Sequence, residues 1–148
     1  MENHMNNVKR LAKLLSLALP LTLALAVLAF ELVATTLAAR AQDADAGKTV
    51  FNKCLPCHAI GEGATNKVGP ALNGLDGRKA GTYPNYSYSD ANKNSGITWN
   101  EAEFKDYIRS PRAKIPNTKM AFVGLTNDKD IADIWAYISQ FKTDGTKK

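Results

Sequence analysis

Hydrophobic and polar residues are distributed very differently in the first 41 residues and in the rest of the chain. Residues 1–13 are polar and basic, and residues 14–30 form an uncharged apolar run that contains only three weakly polar or helix-breaking residues. A small-x-small motif, Ala39-Arg40-Ala41, precedes polar residues. This order of segments is typical of a secretory signal peptide. It predicts cleavage after Ala41, with residues 1–41 as the signal and residues 42–148 as the mature domain.

The same apolar run is long enough to cross a bilayer, so an uncleaved membrane anchor is the alternative. Cleavage is favoured because the small-x-small site lies directly before Gln42 and Asp43, which would leave a very short tether to the domain. In both cases the basic end stays inside, so residues 42–148 are expected on the outer side of the inner membrane. After cleavage the domain would be a periplasmic protein.

Helical periodicity is clearest near the C-terminus. Apolar residues recur at helical spacing through residues 131–141, and they predict a helix that begins near residue 126 or 127. Another helix is predicted near residue 45, with Asp45 as its cap and Cys54 as its end. Gly47 lacks a side chain, so a second helix is expected to cross closely at this position.

A middle helix is predicted after Thr98-Trp99-Asn100-Glu101, which has the spacing of a capping box. It should end at Ser110-Pro111, because a proline disfavours helical backbone in the residue before it. Residues 59–97 are rich in glycine and asparagine and are predicted to be loops. Loops of this length are unusual in a compact domain and need something to pack around. The pattern predicts an all-α domain with about three main helices and long loops.

The pentapeptide Cys54-Leu55-Pro56-Cys57-His58 contains both cysteines of the chain and one of its two histidines. C-x-x-C-H is the attachment signature of a c-type haem. Its two thiols can each add to a vinyl group of the porphyrin, and the following imidazole can bind the iron. The spacing predicts one covalent haem c on Cys54 and Cys57, with His58 as an axial ligand. The haem would also supply the core that the loops need.

Other interpretations of the pentapeptide are less well supported. A thioredoxin-like C-x-x-C belongs to a βαβ pattern, and none is visible downstream. A structural zinc site needs four nitrogen or sulfur ligands, and residues 42–148 offer only Cys54, Cys57 and His58. A simple disulfide between the two cysteines is the plainest alternative.

The second axial ligand is expected to be a methionine. The other histidine is His4, far from the domain, and methionine is the next usual haem ligand. Met1 and Met5 belong to the N-terminal segment, which leaves Met120 on a loop-like run that contains a proline and an asparagine. The alternative is a core methionine that fills a gap. Ligation by both His58 and Met120 would fill both axial positions, which favours electron transfer over catalysis.

Further motifs surround these residues: Gly47-Lys48-x-x-Phe51, Val68-Gly69-Pro70, Gly74-Leu75-x-Gly77-Arg78-Lys79, Tyr86-Ser87-Tyr88, Asp90-Ala91-Asn92-Lys93 and Pro116-x-Thr118-Lys119-Met120. On these motifs, residues 43–142 resemble the class I cytochromes c, especially bacterial cytochrome c2 and its mitochondrial relatives. The resemblance implies the small class I cytochrome c fold around one haem. Asn117 departs from the family, in which glycine is common, but asparagine tolerates a positive φ.

The resemblance also implies roles around the haem. The carbonyl of Pro70 would accept a hydrogen bond from His58, which fixes the orientation of the ring. Arg78 would neutralise a propionate. Tyr88 and Trp99 combine a large apolar body with a polar tip, which suits residues beside the propionates. The polar residues expected on the methionine side are Asn92, Tyr107 and Thr118.

The charge balance is consistent with a docking surface for a protein partner. Residues 42–148 carry 15 Lys or Arg and 12 Asp or Glu, a formal net charge of +3. We expect no nucleic-acid partner and a monomer. The resemblance implies a basic ring around the exposed haem edge, formed by Lys53, Lys67, Arg112 and Lys119.

The function implied by the resemblance is that of a periplasmic monohaem electron carrier and not of an enzyme. It would shuttle single electrons between a quinol–cytochrome c reductase and a terminal oxidase, a reaction centre or a periplasmic reductase. A haem enzyme such as a peroxidase would need an open axial position, which Met120 denies. A permanently tethered subunit of a membrane oxidase would keep residues 1–41.

Overall fold

The computed structural model describes residues 42–148, so the predicted signal peptide or anchor lies outside the described residues. Within this range, no helix is both long and apolar enough to cross a bilayer. The described chain is helical and contains no strand beyond isolated bridges, as predicted. Its helices are α1 (Ala44–Phe51), α2 (Asp90–Lys93), α3 (Glu101–Arg109), α4 (Pro111–Lys114) and α5 (Asp128–Ile138).

Helix α1 begins at a different cap from the one that the sequence predicted. The side chain of Asp43 accepts hydrogen bonds from the backbone N–H groups of Asp45 (2.9 Å) and Ala46 (3.0 Å). Asp45 lies inside the first turn, so its prediction as the cap was wrong. The helix also ends at Phe51 and not at Cys54, because the chain continues in tight turns into residues 54–58, called the attachment peptide below.

Helix α3 is capped by Asn100, whose side-chain oxygen accepts a hydrogen bond from the N–H of Glu103 at 2.9 Å. The predicted capping box at Thr98 was therefore wrong. The reason is that Trp99 is still paired with a neighbouring loop: its N–H donates to the carbonyl of Arg78 at 2.9 Å. The chain can begin to coil only after this pairing ends. The predicted end before Pro111 is confirmed.

Helices α1 and α5 cross at Gly47. A Cβ atom on Gly47 would overlap the carbonyl oxygen of Asp133 and would lie 2.9 Å from the Cβ of Tyr137. One turn later, the rings of Phe51 and Tyr137 pack with centroids 5.4 Å apart. The close crossing expected at Gly47 is confirmed. The apolar stripe of α5 is also confirmed as core: Ile131, Ile134, Trp135 and Ile138 are buried.

A buried carboxylate fixes the start of α1 against α5. Asp133 is only 3% exposed, and its Oδ1 accepts a hydrogen bond from the backbone N–H of Asp43 at 2.9 Å. Its other oxygen lies 2.7 Å from the ammonium group of Lys129. A buried charge is tolerated only when it is paired and hydrogen-bonded, and both conditions are met here.

The end of the chain folds back as a short hairpin of residues 141–148, called the C-terminal hairpin below. Phe141 and Lys147 pair in antiparallel fashion, and the N–H of Lys142 donates to the carbonyl of Thr146 at 2.8 Å. The hairpin joins the loop region through the N–H of Gly74, which donates to the carbonyl of Phe141 at 3.1 Å. The loops of residues 59–97 are otherwise as predicted, apart from the single turn of α2.

At the Gly47 crossing, steric overlap and helix propensity have opposite effects on the stability of an alanine variant. Gly47→Ala should destabilise the protein by about 1–3 kcal/mol, because the new methyl group has to displace the backbone of α5. Propensity alone would stabilise α1 by about 1 kcal/mol. The measurement is the free energy of unfolding in guanidinium chloride.

Thr49→Ala is the matched control for this prediction, because Thr49 is exposed on the same helix. Its free energy of unfolding should stay within about 0.5 kcal/mol of the parent value. If Gly47→Ala proves as stable as the parent, the two helices are not in the close contact described here.

Candidate haem site

A large cavity opens among the loops and the buried faces of α3 and α5. Its empty volume, including the open mouth, is about 1250 Å³, and much of its wall is apolar. The structure brings all of the predicted site residues to this cavity except Lys67 and Arg112, which lie outside its lining. Those that line it are Lys53, Cys54, Cys57, His58, Pro70, Arg78, Tyr88, Asn92, Trp99, Tyr107, Thr118, Lys119 and Met120.

The attachment peptide follows α1 as a compact turn. The N–H groups of Cys57 and His58 both donate to the carbonyl of Cys54, at 3.0 and 2.8 Å. The N–H of Gly69 donates to the carbonyl of Cys57 at 2.7 Å and joins this turn to the next loop. Burial raises the pKa of the Cys54 thiol to about 11, and Cys57 adds to the shift. The turn places both thiols on the cavity wall.

The imidazole of His58 is held in one tautomer. Its Nδ1 lies 2.7 Å from the carbonyl oxygen of Pro70. A carbonyl can only accept, so Nδ1 carries the hydrogen and Nε2 keeps a free lone pair. Burial lowers the pKa of His58, and the bond to Pro70 opposes this shift only in part. The neutral ring that results is the form in which histidine binds a metal.

Gly69 belongs to a motif that the sequence analysis noted, but its role beside His58 was not predicted. A Cβ atom at Gly69 would overlap Cε1 of His58 and would lie 2.8 Å from both ring nitrogens. Only a glycine therefore lets the imidazole lie flat against this loop while it reaches Pro70. The available signal was a glycine directly before the proline whose carbonyl was already expected to accept from His58.

Polar side chains lie beside the sulfur of Met120. The hydroxyl of Tyr107 lies 3.2 Å from the sulfur and 3.4 Å from Oγ1 of Thr118. Thr118 in turn donates to the side-chain oxygen of Asn92 at 2.9 Å. Burial raises the pKa of Tyr107, so its hydroxyl keeps its proton. The sulfur is thus fixed beside a hydrogen-bond donor.

Ser89 completes this network and was missed from sequence. Its hydroxyl donates to the same oxygen of Asn92 at 2.8 Å, and it also caps the short helix α2. The signal was a serine directly before Asp90, in a position typical of an N-cap.

The loop that carries Met120 turns at Asn117, which has a φ of 65°. The expectation that asparagine would adopt the positive φ is confirmed. After this turn, the N–H of Met120 donates to Oγ1 of Thr118 at 3.3 Å. The turn and this hydrogen bond direct the thioether into the cavity.

On another part of the wall, the guanidinium group of Arg78 is held from two sides. It donates to the carbonyl of Asn73 at 2.8 Å and lies over the ring of Tyr83 at 4.7 Å. Burial lowers the pKa of Arg78, but an arginine keeps its charge at neutral pH. Tyr88 and Trp99 line the same cavity. This part of the wall therefore combines a positive charge with amphipathic aromatic residues.

Three of the four predicted docking residues make local polar contacts. Lys53 lies 3.2 Å from a carboxylate oxygen of Asp130. Lys67 donates to the carbonyl of Leu55 at 2.9 Å, and Lys119 donates to the carbonyl of Ser87 at 2.9 Å. All three side chains are exposed, and Arg112 is exposed as well. Such contacts on exposed side chains are weak and leave the charge available to a partner.

The residues present fit a covalent haem. Two thiols, a neutral imidazole with a free Nε2 and a thioether line one apolar cavity, and the imidazole lies in a cradle that a Cβ at position 69 would fill. Histidine nitrogen and methionine sulfur are a known axial pair for haem iron.

Comparison with known proteins agrees with this geometry. The profile of the family described as Cytochrome c matches residues 44–142. Cytochrome c-550 of Bradyrhizobium diazoefficiens is 70% identical over 105 residues, which cover 71% of this chain and 77% of that protein. A cytochrome c2 of Rhodoplanes tepidamans is 66% identical over 107 residues, which cover 72% of this chain and 100% of that protein.

Solved structures give the same result. Cytochrome cH from Methylobacterium extorquens matches with a TM-score of 0.61 and 43% identity over 65% of this chain and 96% of that chain. Cytochrome c2 from Rhodospirillum centenum matches with a TM-score of 0.64 and 34% identity over 68% of this chain and 98% of that chain. The predicted fold is therefore confirmed, and the chain belongs to the cytochrome c family, as a class I c-type cytochrome with one covalently attached haem c that carries electrons and is not an enzyme.

Proposed function

We propose that this protein is a periplasmic shuttle for single electrons, with thioether bonds on Cys54 and Cys57 and with His58 and Met120 as the axial ligands. The observation that carries the proposal is the meeting of two thiols, an oriented imidazole and an anchored thioether in one cavity. The bound haem supplies a one-electron couple between ferric and ferrous iron. The roles of the protein are to hold this group, to set its surroundings and to present it to partners.

The histidine side provides a rigid ligand. The hydrogen bond from Nδ1 of His58 to Pro70 orients the ring and increases the basicity of Nε2. The contact with Gly69 restricts rotation of the ring out of this position. An imidazole that is already held in its binding orientation needs little rearrangement when the charge of the haem iron changes.

The methionine side closes the second axial position. Tyr107 and Thr118 are buried beside Met120, and their hydroxyl groups are satisfied within the network that includes Asn92. The thioether is thus held beside buried hydroxyl groups that are hydrogen-bonded within this network. With both axial positions filled, no open site is left for peroxide or another substrate, which argues against a peroxidase.

Arg78, Tyr88 and Trp99 form the part of the site that suits the propionates. The guanidinium group is charged and partly withdrawn from water, so it can offset a buried carboxylate more strongly than an exposed cation can. The hydroxyl of Tyr88 and the indole N–H of Trp99 are potential donors on the same wall.

The partners that we propose are a quinol–cytochrome c reductase as the donor and a terminal oxidase, a reaction centre or a periplasmic reductase as the acceptor. Lys53 and Lys119 line the mouth of the cavity, and Val68 in the same lining is 77% exposed. An apolar contact surrounded by lysines suits brief docking to an acidic partner, because charge speeds the encounter without requiring tight binding. Lys67 and Arg112 would extend this surface.

One mass measurement tests the attachment and the processing together. Protein purified from the periplasm should have the mass of residues 42–148 plus one haem, because the proposed signal is removed after Ala41 and both thiols are alkylated. The haem should stay with the polypeptide after extraction with acidified acetone. Freely extracted haem would contradict the attachment, and retained residues 1–41 in the membrane fraction would favour the tethered alternative.

Replacement of the proposed sixth ligand tests the axial pair. Met120→Ala should abolish the weak sulfur-to-iron absorption band of the ferric protein and lower the reduction potential, because a thioether stabilises ferrous iron. It should also allow cyanide to bind rapidly. The measurements are the near-infrared spectrum, a redox titration and cyanide-binding kinetics.

Tyr107→Phe is the matched control, because it removes the hydroxyl beside the sulfur but leaves the thioether in place. The sulfur band should persist, and the potential should fall less than in Met120→Ala, since loss of the donor only makes the sulfur a better ligand for ferric iron. If Met120→Ala leaves the spectrum unchanged, another group is the sixth ligand.

Salt dependence tests the docking surface. The second-order rate of electron transfer to an acidic redox partner should fall as ionic strength rises, because salt screens long-range attraction. Lys119→Glu, which reverses a charge in the lining of the cavity, should reduce the rate at low salt, whereas Lys142→Glu makes the same change of charge outside that lining and should reduce it much less. The measurement is stopped-flow kinetics, and equal effects of the two substitutions would refute a localised docking surface.

A further inference from the structure

Asn73-Gly74 is the only Asn-Gly dipeptide in the chain. This dipeptide is the most prone of all Asn-X sequences to lose ammonia, because glycine offers no side chain to hinder attack by its own backbone nitrogen on the asparagine amide. Both residues lie on the loop between Pro70 and Arg78, close to the haem site. A dipeptide that is prone to deamidation therefore lies in a loop beside the haem site.

The fold requires both residues. The side chain of Asn73 pairs with the backbone of Gly61, donating to its carbonyl at 2.9 Å and accepting from its N–H at 2.8 Å. Gly74 has a φ of +62°, and a Cβ atom there would lie 2.7 Å from Oγ1 of Thr143. An asparagine is thus needed to join two loops, and a glycine is needed for the hairpin to pack on them.

The C-terminal hairpin covers the dipeptide. Asn73 is only 3% exposed. The nucleophile of the reaction, the backbone nitrogen of Gly74, is engaged in the hydrogen bond to the carbonyl of Phe141. Gly145 packs so closely on the other loop that a Cβ atom there would overlap the carbonyl oxygen of Gly61. The amide of Asn73 is therefore out of water, and the N–H of Gly74, whose proton would have to be lost, is already donated to Phe141.

The covering element is itself weakly held. Residues 142–144 and 147–148 are exposed, and the link from Lys148 to Asp76 is an exposed ion pair of 3.1 Å. Exposed segments with few buried apolar groups open at a much lower free energy than the whole domain. The hairpin can consequently open while the helices remain folded.

We propose that Asn73-Gly74 is a latent deamidation site whose exposure is controlled by the C-terminal hairpin. When the hairpin opens, the nitrogen of Gly74 loses its proton and attacks Cγ of Asn73, and ammonia leaves as a cyclic imide forms. Water then opens the ring at either carbonyl and gives aspartate or isoaspartate. The net reaction consumes one water and releases one ammonia, and it needs no oxidant or further reagent.

The product does not fit the closed structure. A carboxylate at position 73 would face the carbonyl oxygen of Gly61, which now accepts a hydrogen bond from the amide. Two acceptors at this distance repel each other, and although the N–H of Gly61 can still donate to one carboxylate oxygen, the other would be buried against an acceptor, which is costly. Isoaspartate would in addition lengthen the backbone between Leu72 and Gly74. Modification therefore disfavours closure of the hairpin. The change is irreversible, because the released ammonia is not regained.

Asn94-Ser95 provides an internal reference in the same molecule. Asn94 is exposed at the end of α2, and Asn-Ser is intrinsically less reactive than Asn-Gly, because serine carries a side chain. The haem-loaded protein would be incubated at mildly alkaline pH, with peptide mapping by mass spectrometry over time. In the intact protein Asn73 should be modified more slowly than Asn94, and in denaturant this order should reverse.

Gly145→Ala is the test variant, because its methyl group forces the hairpin off Gly61 and its φ of +89° is unfavourable for alanine. Gly63→Ala is the matched control: its φ is +69°, but nothing lies within 4 Å of the new atom. Gly145→Ala should raise the rate at Asn73 by on the order of tenfold relative to the rate at Asn94. Gly63→Ala should leave this ratio unchanged.

A shortened chain that lacks residues 143–148 is the second variant, in case Gly145→Ala disturbs folding. An unchanged haem spectrum would show that the domain is intact, and the ratio of the rates at Asn73 and Asn94 should again rise. The proposal is overturned if the intact protein modifies Asn73 faster than Asn94. It is equally overturned if neither Gly145→Ala nor the shortened chain raises that ratio.

Discussion

The contact between α1 and α5 at Gly47 is the constraint on which the rest of the structure depends. The two helices touch backbone to backbone, because any side chain at Gly47 would overlap the carbonyl of Asp133. Helix α1 ends at Phe51, and the turns that follow lead directly to Cys54. The position of α1 on α5 therefore decides where the two thiols meet the cavity.

The loops between these two helices are held in place by side-chain hydrogen bonds and not by a sheet or further helices. The amide of Asn66 joins the N–H of Ala71 (3.0 Å) to the carbonyl of Pro84 (2.9 Å), and Asn73 joins its own loop to Gly61. Each of these hydrogen bonds pairs a backbone group that would otherwise be buried without a partner. This explains how a long segment with a single turn of helix can still present an ordered wall to the haem.

Burial and hydrogen bonding of polar groups also determine the chemistry of the site. The imidazole of His58 is neutral because it is buried, and its one hydrogen is used by Pro70. The hydroxyl of Tyr107 is kept protonated by burial and is directed toward the sulfur of Met120. A pair of neutral, fixed side chains suits the proposed axial ligands of a centre whose charge changes by one unit.

The sequence alone determined the class of the protein. The C-x-x-C-H spacing, the single methionine past residue 41 and the periodicity of α5 each depend on local chemistry or on one helix, so they can be found without a structure. Tertiary structure decided the rest, because it concerns residues far apart in the chain. The cap at Asn100 and not Thr98 depends on the pairing of Trp99 with Arg78, and the role of Gly69 depends on the ring of His58 packing against it. The network from Ser89 through Asn92 to Thr118 likewise exists only because folding brings two loops within hydrogen-bonding distance, which no local pattern specifies.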